Sequence, residues 1–173
     1  GDGHKVSAKK FDGSSWVNVG STGFSAGAMS FTSLALDATG IPYVAYQDSV
    51  NGTKATVMKY DGSNWVNVGI AGFSGGNVED VSLTTDASGN PYVGFQDWSN
   101  GGRATVMKFD GTNWGALGTV GFSTGGAYHT SLTLDSSGTP FIACSEGGAF
   151  VLRFGLPELS AVSGTNTICP TST

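Results

Sequence analysis

The chain has 173 residues, and 28 of them are glycine, about one in six and more than twice the usual share. Aromatic residues make up 11% and charged residues only 12%, so the composition excludes an intrinsically disordered chain. Thirteen Asp and Glu against eight Lys and Arg give a net charge of −5, which argues against a nucleic-acid partner. No run of 18 apolar residues is present, so the sequence predicts no segment inserted in a membrane.

The sequence repeats itself every 49 residues, and the repeats are near 5–53, 54–102 and 103–150. Three sets of residues mark this step: Trp16, Trp65 and Trp114; Pro42, Pro91 and Pro140; and Asp37, Asp86 and Asp135. A fourth copy begins near Val151 after a four-residue deletion and then fades. We therefore predict a repeat domain over residues 1–155, followed by a separate segment over 156–173.

Each repeat is predicted to hold four short strands. In the second repeat, the β-prone runs are residues 55–60, 64–68, 81–86 and 91–96. Asp61-Gly62 predicts a hairpin between the first two runs, and Pro91 opens the last run, where a missing N–H costs least. No apolar residues recur at helical spacing, so essentially no helix is expected. Four strands in a repeat of this length are typical of a β-propeller blade.

The lengths of the connections order the strands within a blade. Two tight turns, D-x-x-G-x-P and D-G-x-x-W, alternate with two long loops, so both long loops lie on one face, here called the long-loop face. The third run then becomes the innermost strand, and we expect its serines, such as Ser33, to face a narrow axis and its leucines, such as Leu34, to face the next blade. The prediction is an all-β, propeller-type fold of four-stranded antiparallel blades, with about three repeats forming an incomplete ring in one chain.

The motifs resemble those of known propeller families. Residues 86–93, DASGNPYV, are similar to the repeats of NHL- and SBBP-type propellers of secreted bacterial proteins, and residues 60–65, YDGSNW, resemble kelch repeats without their double glycine. The order Asn-Trp, Gly-Phe, Ser-Leu, Asp-x-x-Gly, Tyr-Val is similar to the blades of tachylectin-type sugar-binding propellers. These resemblances cover about residues 5–154, and they imply a secreted bacterial β-propeller repeat protein at an extracellular or cell-surface location.

The segment 156–173 is rich in Ser and Thr. It resembles the linker and first strand that lead into immunoglobulin-like modules of large bacterial surface proteins. The alternative is a C-terminal arm that adds the fourth strand to the last blade. Cys169 lies in this segment, and we expect Cys144 either to be a buried thiol or to form a disulfide with Cys169.

The repeated polar residues indicate structure and not catalysis. A serine recurs in every Gly-Phe-Ser motif, whereas a catalytic nucleophile needs one serine with its own base. Each Asp of the tight turns, such as Asp37 and Asp61, is expected to accept hydrogen bonds from backbone N–H groups of its own turn. His4 and His129 are the only histidines, so no transition-metal site is predicted. We expect no enzymatic activity, no cofactor and no metal.

The long-loop face carries residues that differ between repeats and that suit a ligand. The candidate ligand-binding residues are Gln47, Asp48, Gln96, Asp97, Trp98, Tyr128 and His129. Amide and carboxylate groups hydrogen-bond sugar hydroxyls, and aromatic rings offer an apolar face to sugar C–H groups. Ser145 replaces the glutamine in the third repeat, so a repeated site is complete in two copies only. Trp16, Trp65 and Trp114 are instead expected to pack between blades, with sugar stacking as the alternative.

Two functions from different classes remain. The first is a non-catalytic extracellular structural or adhesive module of a large secreted or cell-surface bacterial protein. Such a module would associate with neighbouring chains or blades through unpaired strand edges, as a ring or a filament. The second is a carbohydrate-binding lectin that uses the long-loop face. The expected partners are therefore further blades or a glycan, and a glycan array separates the two functions.

Overall fold

A computed structural model describes residues 3–145, 149–154 and 159–162. The strands are β1 (Lys9–Phe11), β2 (Trp16–Asn18), β3 (Met29–Leu36), β4 (Pro42–Asp48), β5 (Lys54–Tyr60), β6 (Trp65–Asn67), β7 (Val78–Thr85), β8 (Pro91–Asp97), β9 (Arg103–Phe109), β10 (Trp114–Ala116), β11 (Tyr128–Leu134), β12 (Pro140–Ser145), β13 (Ala149–Phe154) and β14 (Leu159–Val162). Helix within these ranges is confined to one short 3-10 turn, Trp98–Asn100.

The strands form one two-stranded sheet and three four-stranded antiparallel sheets, in which neighbours along the chain are also neighbours in the sheet. Sheet 1 is β1–β2, sheet 2 is β3–β6, sheet 3 is β7–β10 and sheet 4 is β11–β14. The predicted all-β class with four-stranded antiparallel blades is confirmed. β14 pairs with β13, so residues 159–162 add a fourth strand to sheet 4. Both alternatives for the segment 156–173 stay predictions. Residues 163–173 lie outside the described ranges.

The strands predicted to be innermost, β3, β7 and β11, begin earlier than the sequence predicts. The register between β7 and β8 shifts between Glu79 and Ser82, and this bulge interrupts the alternation of side chains. Asp80 in the bulge has a φ of 48°, and Phe31 and His129 at the same repeat position have φ values of 49° and 54°. Residues other than glycine rarely adopt this left-handed conformation. Strand periodicity therefore could not reveal the start of these strands.

Successive sheets pack face to face through apolar side chains. Leu83 and Phe95 of sheet 3 pack in one cluster with Tyr43, Ala45 and Val57 of sheet 2. Sheet 4 packs on sheet 3 in the same way, and residues that flank the strands of sheet 1, such as Val6 and Val19, pack on sheet 2. Because sheet 3 is covered on both sides, β8 is buried along its whole length and its sequence shows no polar alternation.

The leucines of the innermost strands contact the preceding sheet, and not the next blade as predicted. Leu83 packs on sheet 2, and Leu132 packs on sheet 3. The serines, expected to face the axis, instead contact the following sheet: Ser33 Oγ accepts a hydrogen bond of 3.0 Å from the backbone N–H of Leu83, and Ser82 Oγ accepts one of 2.9 Å from that of Leu132. Alternate side chains of a strand point to opposite faces, so leucine and serine serve the two neighbouring sheets in turn.

The tryptophans at the 49-residue step pack between sheets in two of three cases. Trp65 is buried and stacks on Phe24, and Trp114 stacks on Phe73 in the same way, with ring centroids 4.2 and 3.9 Å apart. Trp16 is 67% exposed, so the packing prediction is wrong for this residue. The reason is that Trp65 and Trp114 cover the preceding sheet, whereas sheet 1 has no preceding sheet among the described residues.

The tight turns have the predicted chemistry. The Asp37 carboxylate accepts hydrogen bonds from the backbone N–H groups of Thr39 and Ile41 at 2.9 and 3.0 Å. Equivalent bonds to backbone N–H groups form at Asp12, Asp61, Asp86, Asp110 and Asp135. Gly40, in the Asp37 turn, has a φ of 86°, the left-handed conformation for which glycine is needed. These carboxylates are therefore turn-forming groups.

Candidate functional site

The predicted ligand-binding residues lie at one edge of sheets 2, 3 and 4. This edge is the long-loop face, formed by the loops 19–28, 49–53, 68–77, 98–102 and 117–127. The end of β4 supplies Gln47 and the end of β8 supplies Gln96, while β11 begins with Tyr128 and His129. The fold thus brings Gln96 of the second repeat and Tyr128 and His129 of the third to the junction of sheets 3 and 4, whereas Gln47 of the first repeat lies at the junction of sheets 2 and 3.

Asp48 and Asp97 are buried, and their carboxylates accept hydrogen bonds that stabilise the loops that follow them. Asp97 accepts hydrogen bonds from the Ser99 backbone N–H at 3.1 Å, the Asn100 side-chain amide at 2.8 Å and the Thr105 hydroxyl at 2.9 Å. Asp48 makes the equivalent set of bonds in the preceding repeat. The carboxylates hold the 49–53 and 98–102 loops in place, so neither is turned toward solvent.

The two glutamines differ, although they occupy the same repeat position. Gln47 Nε2 donates hydrogen bonds to Asn77 Oδ1 at 2.9 Å and to the Val78 carbonyl oxygen at 2.6 Å, and it thereby joins sheet 2 to sheet 3. Gln96 is only 1% exposed, yet neither its Nε2 nor its Oε1 has a hydrogen-bond partner within the described ranges. The position of Asn77 is taken by Gly126 at the next junction, so the side chain that would pair with Gln96 is missing.

Three predicted residues are exposed at the junction of sheets 3 and 4. Trp98 is 46% exposed and Tyr128 is 49% exposed. His129 is also exposed, and its backbone N–H donates a hydrogen bond of 2.8 Å to the Asp80 carboxylate. The Thr130 hydroxyl donates to the Asp80 carbonyl oxygen. The imidazole of His129 is thus available on a backbone that is held in place.

A polar cavity lies on the face opposite the long-loop face, and the sequence did not predict it. It has a volume of about 490 Å³ and lies between the tight turns of sheets 3 and 4, beside Lys108. Lys108 Nζ is 3.3 Å from the Asp86 carboxylate and 4.8 Å from the centre of the Tyr92 ring. Burial raises the pKa of Asp86, but hydrogen bonds from Asn90 and Lys108 outweigh it and hold the pKa below its usual value. The contact of Lys108 with Tyr92 depends on the register of β8 with β9, which the sequence did not predict.

Cys144 is buried in the cluster between sheets 3 and 4. Cys169 lies outside the described residues, so the disulfide stays a prediction. In residues 3–145, 149–154 and 159–162, His, Cys, Asp and Glu side chains form no group of three or more that could hold a metal ion. No helix in that part of the chain is long and apolar enough to cross a membrane.

Solved structures similar to this chain share its architecture at low sequence identity. A thermostable family-43 glycoside hydrolase matches 90% of this chain with 64% of its own, at 15% identity and a TM-score of 0.57. An endo-1,4-beta-xylanase from Bacteroides thetaiotaomicron matches 83% of this chain with 61% of its own, at 16% identity and a TM-score of 0.52. A fucose lectin from Kordia zhangzhouensis matches 79% of this chain with 99% of its own, at 14% identity and a TM-score of 0.47. No protein-family model and no curated protein matches the sequence.

The likeness to the two hydrolases establishes the fold. The chain has a β-propeller-type fold built from four-stranded antiparallel blades, and sheets 2, 3 and 4 are three such blades. It spans less than two thirds of the length of the two hydrolases. The identities of 14–16% carry no activity or ligand over to this chain. The NHL, SBBP, kelch and tachylectin resemblances stay predictions.

Proposed function

We propose that the chain is a non-catalytic structural or adhesive propeller module of a large secreted or cell-surface bacterial protein. It associates with neighbouring blades through two outer faces, which are the faces of sheet 2 and of sheet 4 that point away from sheet 3. The observation that carries the proposal is the unequal burial of equivalent leucines. Leu83 and Leu132 are each 6% exposed, because each packs on the preceding sheet. Leu34, at the same repeat position in sheet 2, is 57% exposed. Leu36, two residues further along the same face of β3, is 59% exposed, so the two form an apolar patch on this face of sheet 2.

The other end of the stack supports the same proposal. Val57 and Val106 are 1% and 0% exposed, because each is covered by the following sheet. Val151 occupies the equivalent position in sheet 4 and is 50% exposed. The two outer faces are thus the same two surfaces that pair at every internal junction. A blade of this repeat has the complementary shape and chemistry for either face.

The non-catalytic part of the proposal is supported by what the repeated polar groups do. Ser74 Oγ accepts a hydrogen bond of 3.0 Å from the Ala55 N–H and donates one of 2.7 Å to the Gly76 carbonyl oxygen, so it is a buried structural hydroxyl. The turn aspartates are engaged by backbone N–H groups in the same way. Hydrolysis of arabinan, xylan or a peptide substrate that is lost when one Asp or His is replaced would contradict this part.

Sedimentation measurements test the association. The wild-type chain is expected to self-associate as its concentration rises, and Leu34→Asp is expected to weaken this at least about tenfold by placing a charge in the apolar contact. Ile70→Asp is the matched control, since Ile70 is 74% exposed in a loop rather than on an outer face. A wild-type chain that stays monomeric at all concentrations, or equal effects of both variants, would overturn the association.

Carbohydrate binding is the second candidate function, and one observation favours it. Trp98 and Tyr128 are half-exposed aromatic side chains on the long-loop face, although the corresponding residues at the junction of sheets 2 and 3 are Ser49 and Glu79. Exposed rings of this kind suit the apolar faces of sugars. Binding of the intact chain to a glycan array, lost on replacing Trp98 with alanine, is the expected result. A blank array would contradict this candidate and leave the structural role standing.

A further inference from the structure

We propose that the junction of sheets 3 and 4 binds a neutral, hydroxyl-bearing ring ligand, a sugar, whose hydroxyl groups hydrogen-bond the Gln96 side-chain amide beside Trp98 and Tyr128. The inference goes beyond the assembly role and rests on the carbohydrate-binding candidate, to which it assigns one site and one anchoring group. The buried amide carries it, because buried polar groups in folded proteins are almost always paired.

The preceding junction within the same chain shows what Gln96 lacks. There, Gln47 occupies the equivalent position, and Asn77 and the Val78 carbonyl accept both of its Nε2 bonds. At the junction of sheets 3 and 4, glycine replaces the asparagine at position 126, and the amide of Gln96 is left with one unused donor group and one unused acceptor. The side-chain partner of this amide has thus been removed by substitution, and the Ala127 carbonyl, at the position of Val78, does not take its place.

Side chains around Gln96 are also smaller than their counterparts around Gln47. Gly102 replaces Thr53, and Ala127 replaces Val78. The backbone N–H of Ala127 donates a hydrogen bond of 2.8 Å to the Gly102 carbonyl oxygen, so these small residues meet at the junction. A Cβ on Gly102 would lie 3.3 Å from Gln96 Nε2, so the lack of a side chain at residue 102 leaves space next to the amide. Volume has been removed at each of these positions next to the unpaired amide.

The aromatic side chains border this same volume. The nearest atoms of the Trp98 ring lie 3.7 Å from the position that a Cβ on Gly102 would take, so the indole and the Gln96 amide converge there. The Tyr128 ring lies 3.1 Å from the corresponding position on Gly126. Since Gln96 is buried while Trp98 is half-exposed, the proposed binding requires the Trp98 ring to move aside.

The chemistry of these groups selects the ligand class. An amide with a free N–H and a free carbonyl oxygen is satisfied by hydroxyl groups, because a hydroxyl both accepts and donates. Asp97, the nearest buried carboxylate in sequence, already accepts four hydrogen bonds, from the Ser99 backbone N–H and hydroxyl, the Asn100 amide and the Thr105 hydroxyl. The site therefore offers a neutral polar anchor between aromatic rings, which fits an uncharged sugar ring rather than a phosphate or a carboxylate.

The test is a titration of the whole chain with methyl glycosides of glucose, galactose, mannose, fucose and N-acetylglucosamine, followed by calorimetry and by tryptophan fluorescence. At least one glycoside is expected to bind in the millimolar range and to change the Trp98 emission, a change that Trp98→Phe removes. Gln96→Leu is expected to weaken the binding about tenfold or more, since it removes both hydrogen-bonding groups. Gln47→Leu is the matched control at the other junction and is expected to leave the affinity within about twofold.

Gly126→Asn is the second variant, and it tests the site without removing anything. The new amide restores the partner that Asn77 provides for Gln47, and its Cβ meets only the tip of the exposed Tyr128 ring. We expect a higher unfolding temperature and an affinity at least about tenfold lower, because the protein then satisfies its own glutamine. Binding that survives both Gln96→Leu and Gly126→Asn would overturn this site and leave carbohydrate binding intact. No binding of any glycoside, with only an ordered water on the Gln96 amide in a crystal structure, would overturn both.

Discussion

The indole nitrogen of Trp65 donates a hydrogen bond of 2.8 Å to the carbonyl oxygen of Val19, which lies 46 residues earlier in the chain and in the preceding segment of the stack. Trp114 makes the same bond to Val68 at 2.8 Å. Each ring also stacks on a phenylalanine of the preceding repeat. The tryptophan that recurs every 49 residues is therefore a contact between successive blades, and it links each blade to the one before it.

Replacing Trp65 is expected to destabilise the fold far more than replacing Trp16. Trp65→Ala should cost about 3–5 kcal/mol of unfolding free energy, because it leaves a cavity between sheets and an unpaired carbonyl. Trp16→Ala should stay within about 0.5 kcal/mol, since that side chain is 67% exposed. Urea-induced unfolding followed by circular dichroism measures both values. Equal losses in the two variants would show that the contact between blades does not carry the stability assigned to it.

The features that could be predicted from the sequence depend on local chemistry. The strand β5 and the turn at Asp61 follow from β-prone residues beside an Asp-Gly pair, and both are where the pattern placed them. The exposure of Trp16 could not be predicted, because it depends on which side of sheet 1 carries a neighbour. The lack of a hydrogen-bond partner for the Gln96 amide could not be predicted either. Its partner position, Gly126, is 30 residues away, and only the packing of sheet 4 on sheet 3 brings the two together.

Gly69 is expected to tolerate no side chain. It has a φ of 70°, and a Cβ there would lie 2.8 Å from the Phe109 ring and 3.2 Å from the Trp114 ring. Gly69→Ala should therefore cost about 2 kcal/mol or more, from left-handed backbone strain and overpacking together. Gly115→Ala is the matched control, since a Cβ at Gly115 has no heavy atom within 4 Å, and should stay within about 0.5 kcal/mol. Thermal unfolding of the two variants gives the comparison, and a neutral Gly69→Ala would refute it.

The buried Asp97 is expected to hold its loop through the Thr105 hydroxyl. Thr105 Oγ1 donates to Asp97 Oδ2 at 2.9 Å and accepts a bond of 2.9 Å from the Gly121 N–H. Asp97→Ala should cost about 3 kcal/mol, because several buried donors lose a charged acceptor at once. Asp61→Ala, in an exposed turn, should cost clearly less unfolding free energy than Asp97→Ala. Hydrogen exchange should show increased opening of residues 98–102 in the first variant only. Unchanged protection there would contradict the assignment.

The exposed turn aspartates are expected to make the fold sensitive to acid in a defined range. Backbone N–H groups of Ser15 and Ser14 lower the pKa of Asp12 to about 2, and bonds from their own turns lower the pKa of Asp61 and Asp110. In the unfolded chain these carboxyls titrate near 3.9, so the folded state binds protons more weakly. Their stabilising contribution is therefore complete above about pH 4 and is lost as the pH falls toward about 2.

Carboxyl carbon shifts recorded by NMR against pH check this directly. The Asp12 resonance should titrate at about pH 2 in the folded chain, and near pH 3.9 in a urea-unfolded sample that serves as the control. Asp61→Asn keeps an acceptor in the turn but removes the charge, so it should flatten the dependence of the unfolding midpoint on pH below about 4. If Asp12 titrates at the same pH in the folded and unfolded samples, the backbone N–H groups of the turn do not favour the ionised carboxylate, and the acid sensitivity must come from other groups.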